Sequence, residues 1–412
     1  MQDIVDRTFP QVARRGRQVR NLLATEGLNG VSNRVRRVLA DWIRPGTSTF
    51  PVRRSDIMAA DLSRPSRKVM CKVGREDAIV LNWVTTPPGE GSGGHTTLFR
   101  IINYLAACGY QNRVYFYDVY GADLKYYEGI ARGYFEFRGE IDSVDNGIKD
   151  AHALIATSWP TAYPVFAARC SGARFYFVQD FEPFFHATGA ESVLAENTYK
   201  MGFQAITAGR WLATKLRADY GMKADHFDFG CDTSSYRLLP QTHRPGVAFY
   251  ARPKAMRRGY EIGIMALEIL AKRQPQVELH LYGEKLGRLP FRFVNHGSVR
   301  PADLNVIYNR CFAGLSLSLT NASLVPHEML AAGCIPVVNE ADHNRIVLDN
   351  PFVRYAAATP HDLASELEAL LRNPAPGSLA ERAAASVRSM SWEDAGRMVD
   401  AAFRRALCRD GT

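Results

Sequence analysis

From residue 77 onward the apolar positions fall into short unbroken runs, separated by stretches with helical spacing. DAIVLNWV, RVYFYD, ALIATS, RFYFVQD and QAITAG are runs of the kind shown by strands buried on both faces. Alternation of such runs with helical segments predicts a parallel sheet with helices on both sides. A polar, proline-containing segment, CDTSSYRLLPQTHRPG at 231–246, interrupts the series. The alternation restarts with VAFYAR, VELHLYG, RFVNHGS, AGLSLSL and IPVVNE, and helices are expected near 258–273, 301–310, 325–333 and 360–372. The halves share no sequence repeat, only an architecture. The expected fold is α/β, with two Rossmann-like doubly wound domains facing a cleft, and in such folds ligands bind outside the carboxyl ends of the strands. The expected boundaries are 76–240 for the N-terminal domain and 241–390 for the C-terminal one. A last helix within 391–412 is expected to cross back to the first domain.

Residues 1–75 follow a different pattern. FPQVARRGRQVRNLLATEG and GVSNRVRRVLADWIRP place Val, Leu, Trp and Ile at helical spacing with Arg on the other face. The chain of 412 residues carries a net charge of +9, and residues 1–70 hold 14 Lys/Arg against 6 Asp/Glu, so nearly all of the excess lies there. Two readings stand open for this basic helical extension: a solvated face on an arm packed against the body, or a surface helix over 13–25 and 31–44 drawn to anionic lipid. No nucleic-acid motif accompanies the charge, which sets nucleic acid aside as a partner. Seven cysteines occur singly, without a CxxC pair, as in a reduced cytoplasmic protein. The N-terminus lacks an apolar signal core, and no window approaches the roughly 18 apolar residues of a membrane span. The expected location is the cytoplasm, with peripheral contact at the inner face of the plasma membrane if the extension binds lipid.

Four stretches at strand ends have chemistry to offer. GEGSGGHTT at 89–97 follows the first strand and opens a helix near His95. Its glycines let backbone N–H groups approach a phosphate or sugar. No Gly-Lys-Ser/Thr follows and the GxGxxG spacing is not met, so this is neither a Walker A loop nor a dinucleotide fingerprint. A flexible loop without a ligand is the alternative. YARPKAMRRG at 250–259 ends a strand at Arg252 and opens the next helix with Arg257 and Arg258. Cations are unfavourable at a helix N-terminus, so their concentration here suits a bound polyanion. A diphosphate fits the guanidinium fork; a solvated basic loop is the alternative.

The third stretch, TNASLVPHEMLAAGCIPVV, sets Glu328 on a short apolar helix between two buried strands. A carboxylate there is costly unless something pairs with it. An ionised glutamate could accept from both hydroxyls of a vicinal diol, or it could pair with an arginine. The fourth, YFVQDFEPFF at 176–185, offers Asp180 and Glu182 after a strand. Two carboxylates alone are a weak sign of a metal, and the aromatic neighbours suit a sugar face. Contact with an acceptor, together with His95, is the expected role, with plain structural use as the alternative, and no metal ligand is assigned. Neither a nucleophile elbow, an HExxH motif nor a Ser/Cys–His arrangement is visible.

Together these stretches resemble the retaining GT-B glycosyltransferases of the family-four kind. The match is most specific at SLVPHEMLAAGCIPVV, which looks like that family's (G)-F-G-L-P-x-x-E-A-M-A-x-G-x-P-V-V block. Within that group the chain is similar to the WsaF-type rhamnosyltransferases, through LNWVTTPPGEGSGGHTTLFR, YFVQDFEPFF, ENTYKMGFQAITAGRWL and FYARPKAMRRG. The resemblance covers roughly 77–400 and implies a GT-B fold with donor binding in the second domain. It implies that Glu328 holds the donor ribose hydroxyls and that Arg252 and Arg257 hold the donor diphosphate. Gly93 and Gly94 would face the donor phosphates and sugar, Ser323 and Leu324 would offer backbone amides, and Tyr282 and Gly283 join them as donor-binding positions. The family often carries an acid eight positions before the glutamate, where this chain has Thr320.

The implied reaction is transfer of a sugar, L-rhamnose from dTDP-L-rhamnose, to a hydroxyl of a cell-surface glycan or lipid-linked saccharide. Configuration would be retained, and no cofactor is expected beyond the nucleotide-sugar substrate. A UDP- or GDP-sugar donor is the nearest alternative. An epimerase or phosphorylase using the same cleft, and a non-catalytic glycan- or nucleotide-binding protein, are the rivals from other classes.

Overall fold

The computed structural model of the chain describes residues 50–64, 78–240, 243–373 and 375–407, with scattered helical positions between 20 and 43. Residues 1–51 form one unit and residues 52–412 another. The arginine-rich helices expected at 13–25 and 31–44 lie largely outside the described residues. Of the positions described there, Val35, Leu39, Trp42 and Ile43 are helical and exposed. No helix among the described residues is long and apolar enough to cross a membrane.

The larger unit holds two parallel sheets. The first contains β1 (Val80–Thr85), β2 (Gln111–Phe116), β3 (Glu140–Ser143), β4 (Ala153–Ala156), β5 (Ala173–Val178), β6 (Gln204–Ala208) and β7 (Ala224–Phe227), ordered β3-β2-β1-β4-β5-β6-β7. The second contains β8 (Gly246–Ala251), β9 (Glu278–Gly283), β10 (Val294–Gly297), β11 (Cys311–Leu315), β12 (Ile335–Asn339) and β13 (Arg354–Ala356), ordered β10-β9-β8-β11-β12-β13. In each sheet the order reverses beside the first strand, so β1/β4 and β8/β11 are topological switch points. Crevices open outside the carboxyl ends of strands at such points. The glycine-rich loop leaves β1 and the arginine-rich loop leaves β8, which sets both motifs at those two places.

Period-two alternation divides the first sheet between two cores. Leu81 and Trp83 of β1 with Phe175 and Phe177 of β5 pack on one face, and Val84, Tyr176 and Val178 pack on the other. On the first face lie α1 (Gly93–Ala107) and the final helix Trp392–Leu407, whose Phe403 ring sits 5.9 Å from Trp83 and 5.0 Å from Phe175. Tyr110 donates to Asp400 at 2.6 Å and Arg405 to Asp225 at 2.8 Å, fastening the chain end to the N-terminal sheet. On the other face lies α2 (Trp159–Ala167).

Residues 52–62, placed by sequence in the extension, pack on the N-terminal domain instead. Val52 is buried, the Arg53 amide donates to the Tyr117 hydroxyl at 2.8 Å, and that hydroxyl donates to Asp56 at 2.6 Å. The apolar positions Val52, Ile57, Ala60 and Leu62 sit against the second core. The Arg-rich composition of the surrounding segment hides them in a sequence reading.

Gly396 tests how closely the last helix is docked. A Cβ there would stand 2.3 Å from the Tyr104 ring of α1. On a loosely docked helix Gly→Ala would stabilise by roughly 0.5–1 kcal/mol. Overpacking against Tyr104 reverses the sign, so Gly396→Ala should lose about 1–3 kcal/mol in urea unfolding. A gain in stability would contradict the docking.

Candidate active site

The loop from β1 is built around His95. Ring atom Nε2 lies 3.1 Å from the Thr86 carbonyl, which can only accept, so Nε2 carries the proton. Nδ1 therefore accepts from the Ser92 hydroxyl at 2.9 Å. Burial holds the ring below the usual histidine range and neutral. His95 was expected on the acceptor side, but both of its nitrogens are spent shaping the loop. Gly91 takes a left-handed φ of 72° just before α1 begins at Gly93. The Gly94 carbonyl accepts from the Gln179 side chain at 3.0 Å, and nothing stands within 4 Å of where a Gly93 Cβ would be.

Across the cleft, Arg252 follows directly on β8. Its Nε lies 3.6 Å from the Glu284 carboxylate and its Nη1 3.3 Å from the Tyr250 hydroxyl. Gly283 ends β9 at φ 115°, and a Cβ there would be 3.0 Å from Arg252 Cγ, so only glycine lets the arginine lie over this strand end. Tyr282 was expected at the donor, yet its ring is in the core and its hydroxyl is 2.6 Å from that of Tyr308. It reaches the cleft through backbone alone. Arg257 has its Nε 3.7 Å from Asp180 and its guanidinium over the Phe185 ring at 4.7 Å. The Nε–H groups of Arg252 and Arg257 are both buried without a hydrogen-bond partner. A buried donor left unmet is costly, and this one connection carries two.

Arg258, next in the chain, donates to Ser318 at 2.6 Å. Burial, with Arg257 adding to it, holds its guanidinium below the usual arginine range, and Asp180 opposes that. Ser318 belongs to the loop after β11, which is fixed from several sides. The Ser318 amide donates to Asn339 at 2.8 Å, His343 bonds the Ser318 carbonyl at 2.8 Å, and the Leu319 amide donates to the Arg257 carbonyl at 2.9 Å. Asn321 reaches into the other domain, donating to the Gln179 carbonyl at 2.9 Å. The glycine loop, Gln179 and Asn321 thus form one continuous hydrogen-bonded wall.

The same loop leads through Ser323 and Leu324 into α3 (Val325–Ala331), which carries Glu328 in its first turn. Among the described residues, the amides of Ser323 and Leu324 make no hydrogen bond, and neither a hydrogen bond nor an ion pair reaches the Glu328 carboxylate. Burial pushes that carboxyl up from 4.5 to about 7; Arg100 works against the rise and Asp232 adds to it. Arg100 does not satisfy it, being paired with Asp232 at 3.3 Å and laid over Trp392.

Asp180 and Glu182 face different ways and do not converge as a chelating pair. Asp180 turns to Arg257. Glu182, expected to touch an acceptor, points inward, where its carboxylate accepts the Trp159 amide at 2.5 Å at the start of α2. Burial pushes it up to about 8. Sequence reasoning gave no role to Ser318 or Asn321, and it placed Arg258 with Arg257 at a polyanion, where the structure turns Arg258 to Ser318. The arginine pair Arg257-Arg258 was visible, but which partner each finds depends on a loop 60 residues away.

The architecture, two parallel doubly wound sheets meeting at their switch points, is the GT-B fold. Residues 245–368 match the family model of the WsaF C-terminal domain. That span includes Arg252, Arg257, Arg258 and Glu328, and over it the chain is similar to WsaF. Among curated proteins it is 33% identical over 249 residues to the O-antigen biosynthesis protein RfbC of Myxococcus xanthus. The match covers 58% of this chain and 20% of that protein, so the chain spans only a fifth of its relative. Among solved structures it is similar to TarM, with a TM-score of 0.64 at 9% identity over 82% of this chain and 100% of that one. HepE of Anabaena in complex with UDP gives 0.59 at 14% identity, over 80% and 100%. WaaG, a glycosyltransferase involved in lipopolysaccharide biosynthesis, gives 0.56 at 13%, over 81% and 100%. At these identities the likeness carries the fold alone.

The unpaired carboxylate has a signature in pH. An acid whose folded pKa is raised holds its contribution below the unfolded value and loses it as pH climbs through the folded one. With a rise from 4.5 to about 7 on a half-buried side chain, ionised Glu328 should cost on the order of 1–3 kcal/mol at pH 8 and nothing below about pH 4. Glu328→Gln should therefore be more stable than the wild type in urea at pH 8, with the difference shrinking as pH falls and vanishing below about pH 4. An equal difference at both pH values would show that burial does not raise the carboxyl's pKa.

Proposed function

We propose that the chain transfers a glycosyl group from a nucleoside diphosphate sugar to a hydroxyl of a surface polysaccharide or lipid-linked saccharide, with retention of configuration. The observation that carries this reading is the pair of unmet Nε–H donors on Arg252 and Arg257 at the switch point of the second sheet. The glycine loop of the first sheet joins this cluster through Gln179 and Asn321. Cations with free hydrogen-bonding capacity, beside open backbone, suit a diphosphate. Support for a nucleotide comes from the neighbours' own complexes, HepE with UDP and with UDP-glucose. Support for glycan assembly comes from the relative's description as an O-antigen biosynthesis protein. The proposed donor is dTDP-L-rhamnose, which rests on the WsaF likeness of residues 245–368.

In this reading the bond between the anomeric carbon and the diphosphate oxygen breaks, and the departing diphosphate keeps the electron pair. The acceptor oxygen forms the new bond on the same face, and its proton passes to a phosphate oxygen of the leaving group. Negative charge grows on the diphosphate as the bond lengthens, so Arg252 and Arg257 stabilise the transition state more than the bound donor. Glu328 accepts from the two ribose hydroxyls, which replaces with ligand the hydrogen bonds that its carboxylate lacks in the protein. The amides of Ser323 and Leu324 meet the same ligand.

Nucleoside diphosphate release from dTDP-L-rhamnose, UDP-glucose and GDP-mannose tests this directly. One donor should turn over, and Arg252→Ala and Arg257→Ala should each lower its rate at least tenfold, on the order of the loss seen when one charge-stabilising donor is removed. A loss below tenfold in both would contradict the leaving-group role. Isomerised donor without release would assign the cleft to an epimerase.

A further inference from the structure

Resting on that reading, we propose that Asp180 is a positioning residue of the donor site. It is supplied by the N-terminal domain to the arginines of the C-terminal one, and it holds Arg257 in place for the departing diphosphate. The carboxylate leaves the end of β5, beyond the switch point of the first sheet. It lies 3.7 Å from Arg257 Nε, outside hydrogen-bond reach, and it is the group that counters burial at Arg258. One oxygen is fixed by its own neighbour, the Phe181 amide, at 2.9 Å. The other is turned to Arg257. Phe185, on the same segment, stacks under the Arg257 guanidinium, so a single loop sets both the charge and the plane of that side chain.

The C-terminal domain has no carboxylate of its own at this spot. Thr320 stands there, buried, with its hydroxyl beside the Asp180 carboxylate yet without hydrogen-bond geometry to any group. Burial pushes the Asp180 carboxyl above its usual range, against the pull of Arg258, Thr320 and Arg257, in that order. The arginines of the facing domain favour its ionised form, and burial opposes them. Close approach of the domains beside it is built in: Asn321 bonds Gln179, next to Asp180 in the chain, and a Cβ on Gly209 would come within 2.8 Å of Val347. Arg257 and Arg258 repel one another; Ser318 and Phe185 each hold one of them, and Asp180 supplies the opposite charge that the two share. The cluster is thus complete only when the two domains are closed on each other.

The experiment compares the full chain with Asp180→Asn, Asp180→Glu, Thr320→Asp and the double variant Asp180→Asn/Thr320→Asp. It reads donor turnover by nucleoside diphosphate release, nucleoside diphosphate affinity by calorimetry, and melting temperature. Asp180→Asn should lower turnover at least tenfold while nucleoside diphosphate affinity stays within about threefold, because a negative charge has been removed beside an anion site. Asp180→Glu, which keeps the charge but moves it by a methylene, should fall between this and the wild type. Thr320→Asp, nearly isosteric, should lower turnover alone by setting two carboxylates together. In the double variant it should recover at least threefold of what Asp180→Asn lost. Turnover within threefold of wild type for Asp180→Asn, or a double variant no better than Asp180→Asn at a wild-type melting temperature, would overturn the proposal. A wild type that binds no nucleoside diphosphate would overturn the underlying function instead, and this inference with it.

Discussion

Three guanidinium groups, from Arg252, Arg257 and Arg258, crowd the carboxyl end of β8, and two carboxylates, Glu284 and Asp180, lie against them. Neither acid comes within hydrogen-bond distance of the arginine Nε it faces. Cations in that state keep most of their electrostatic potential for whatever enters the cleft. The rest of the site is arranged to tolerate this excess. Gly283 opens room for Arg252, Ser318 takes one bond from Arg258, and Asp180 comes from the other domain to face Arg257. A site of this kind has less stability than a fully paired one would have, and functional sites commonly sit at that end of the range.

Glu328 shows the same principle with opposite sign. Its helix lies between β11 and β12, and burial lifts its pKa to about 7 with no protein donor to offset that. Positive and negative sites are each left incomplete, on the connections that follow two neighbouring strands of one sheet, β8 and β11. A nucleoside diphosphate carries the complements of both, phosphates for the arginines and a ribose diol for the glutamate.

The strand runs, the restart after the polar segment and the placement of both loops at strand ends were legible in the sequence. They depend on local periodicity and on the rule that parallel strands are buried on both faces. Arg252, Arg257 and Glu328 stand out in the sequence for a related reason: charge at an otherwise apolar strand or helix end is conspicuous in one dimension. What failed depended on orientation. His95 and Glu182 looked available because both follow strands, yet each turns inward to bond a backbone or neighbouring group, and a one-residue change of facing decides that. Tyr282 reads as a cleft residue by position, but strand alternation sends its ring to the core against Tyr308. Ser318, Asn321 and the tie from Asp180 to Arg257 are long-range pairings that no local pattern encodes. Residues 52–62 were hidden by their arginine-rich surroundings, although Val52, Ile57 and Leu62 carry the spacing of a docked segment.

The central claim is that an unpaired glutamate and a set of under-satisfied arginines together hold one nucleoside diphosphate. Calorimetric titration of dTDP, UDP and GDP into the wild type and Glu328→Ala, with EDTA present, tests it most directly. The account predicts that at least one nucleotide binds without added metal, and that Glu328→Ala weakens it at least tenfold, about 1.4 kcal/mol. Equal affinity in the variant, or binding that appears only once Mg²⁺ or Mn²⁺ is supplied, would contradict it.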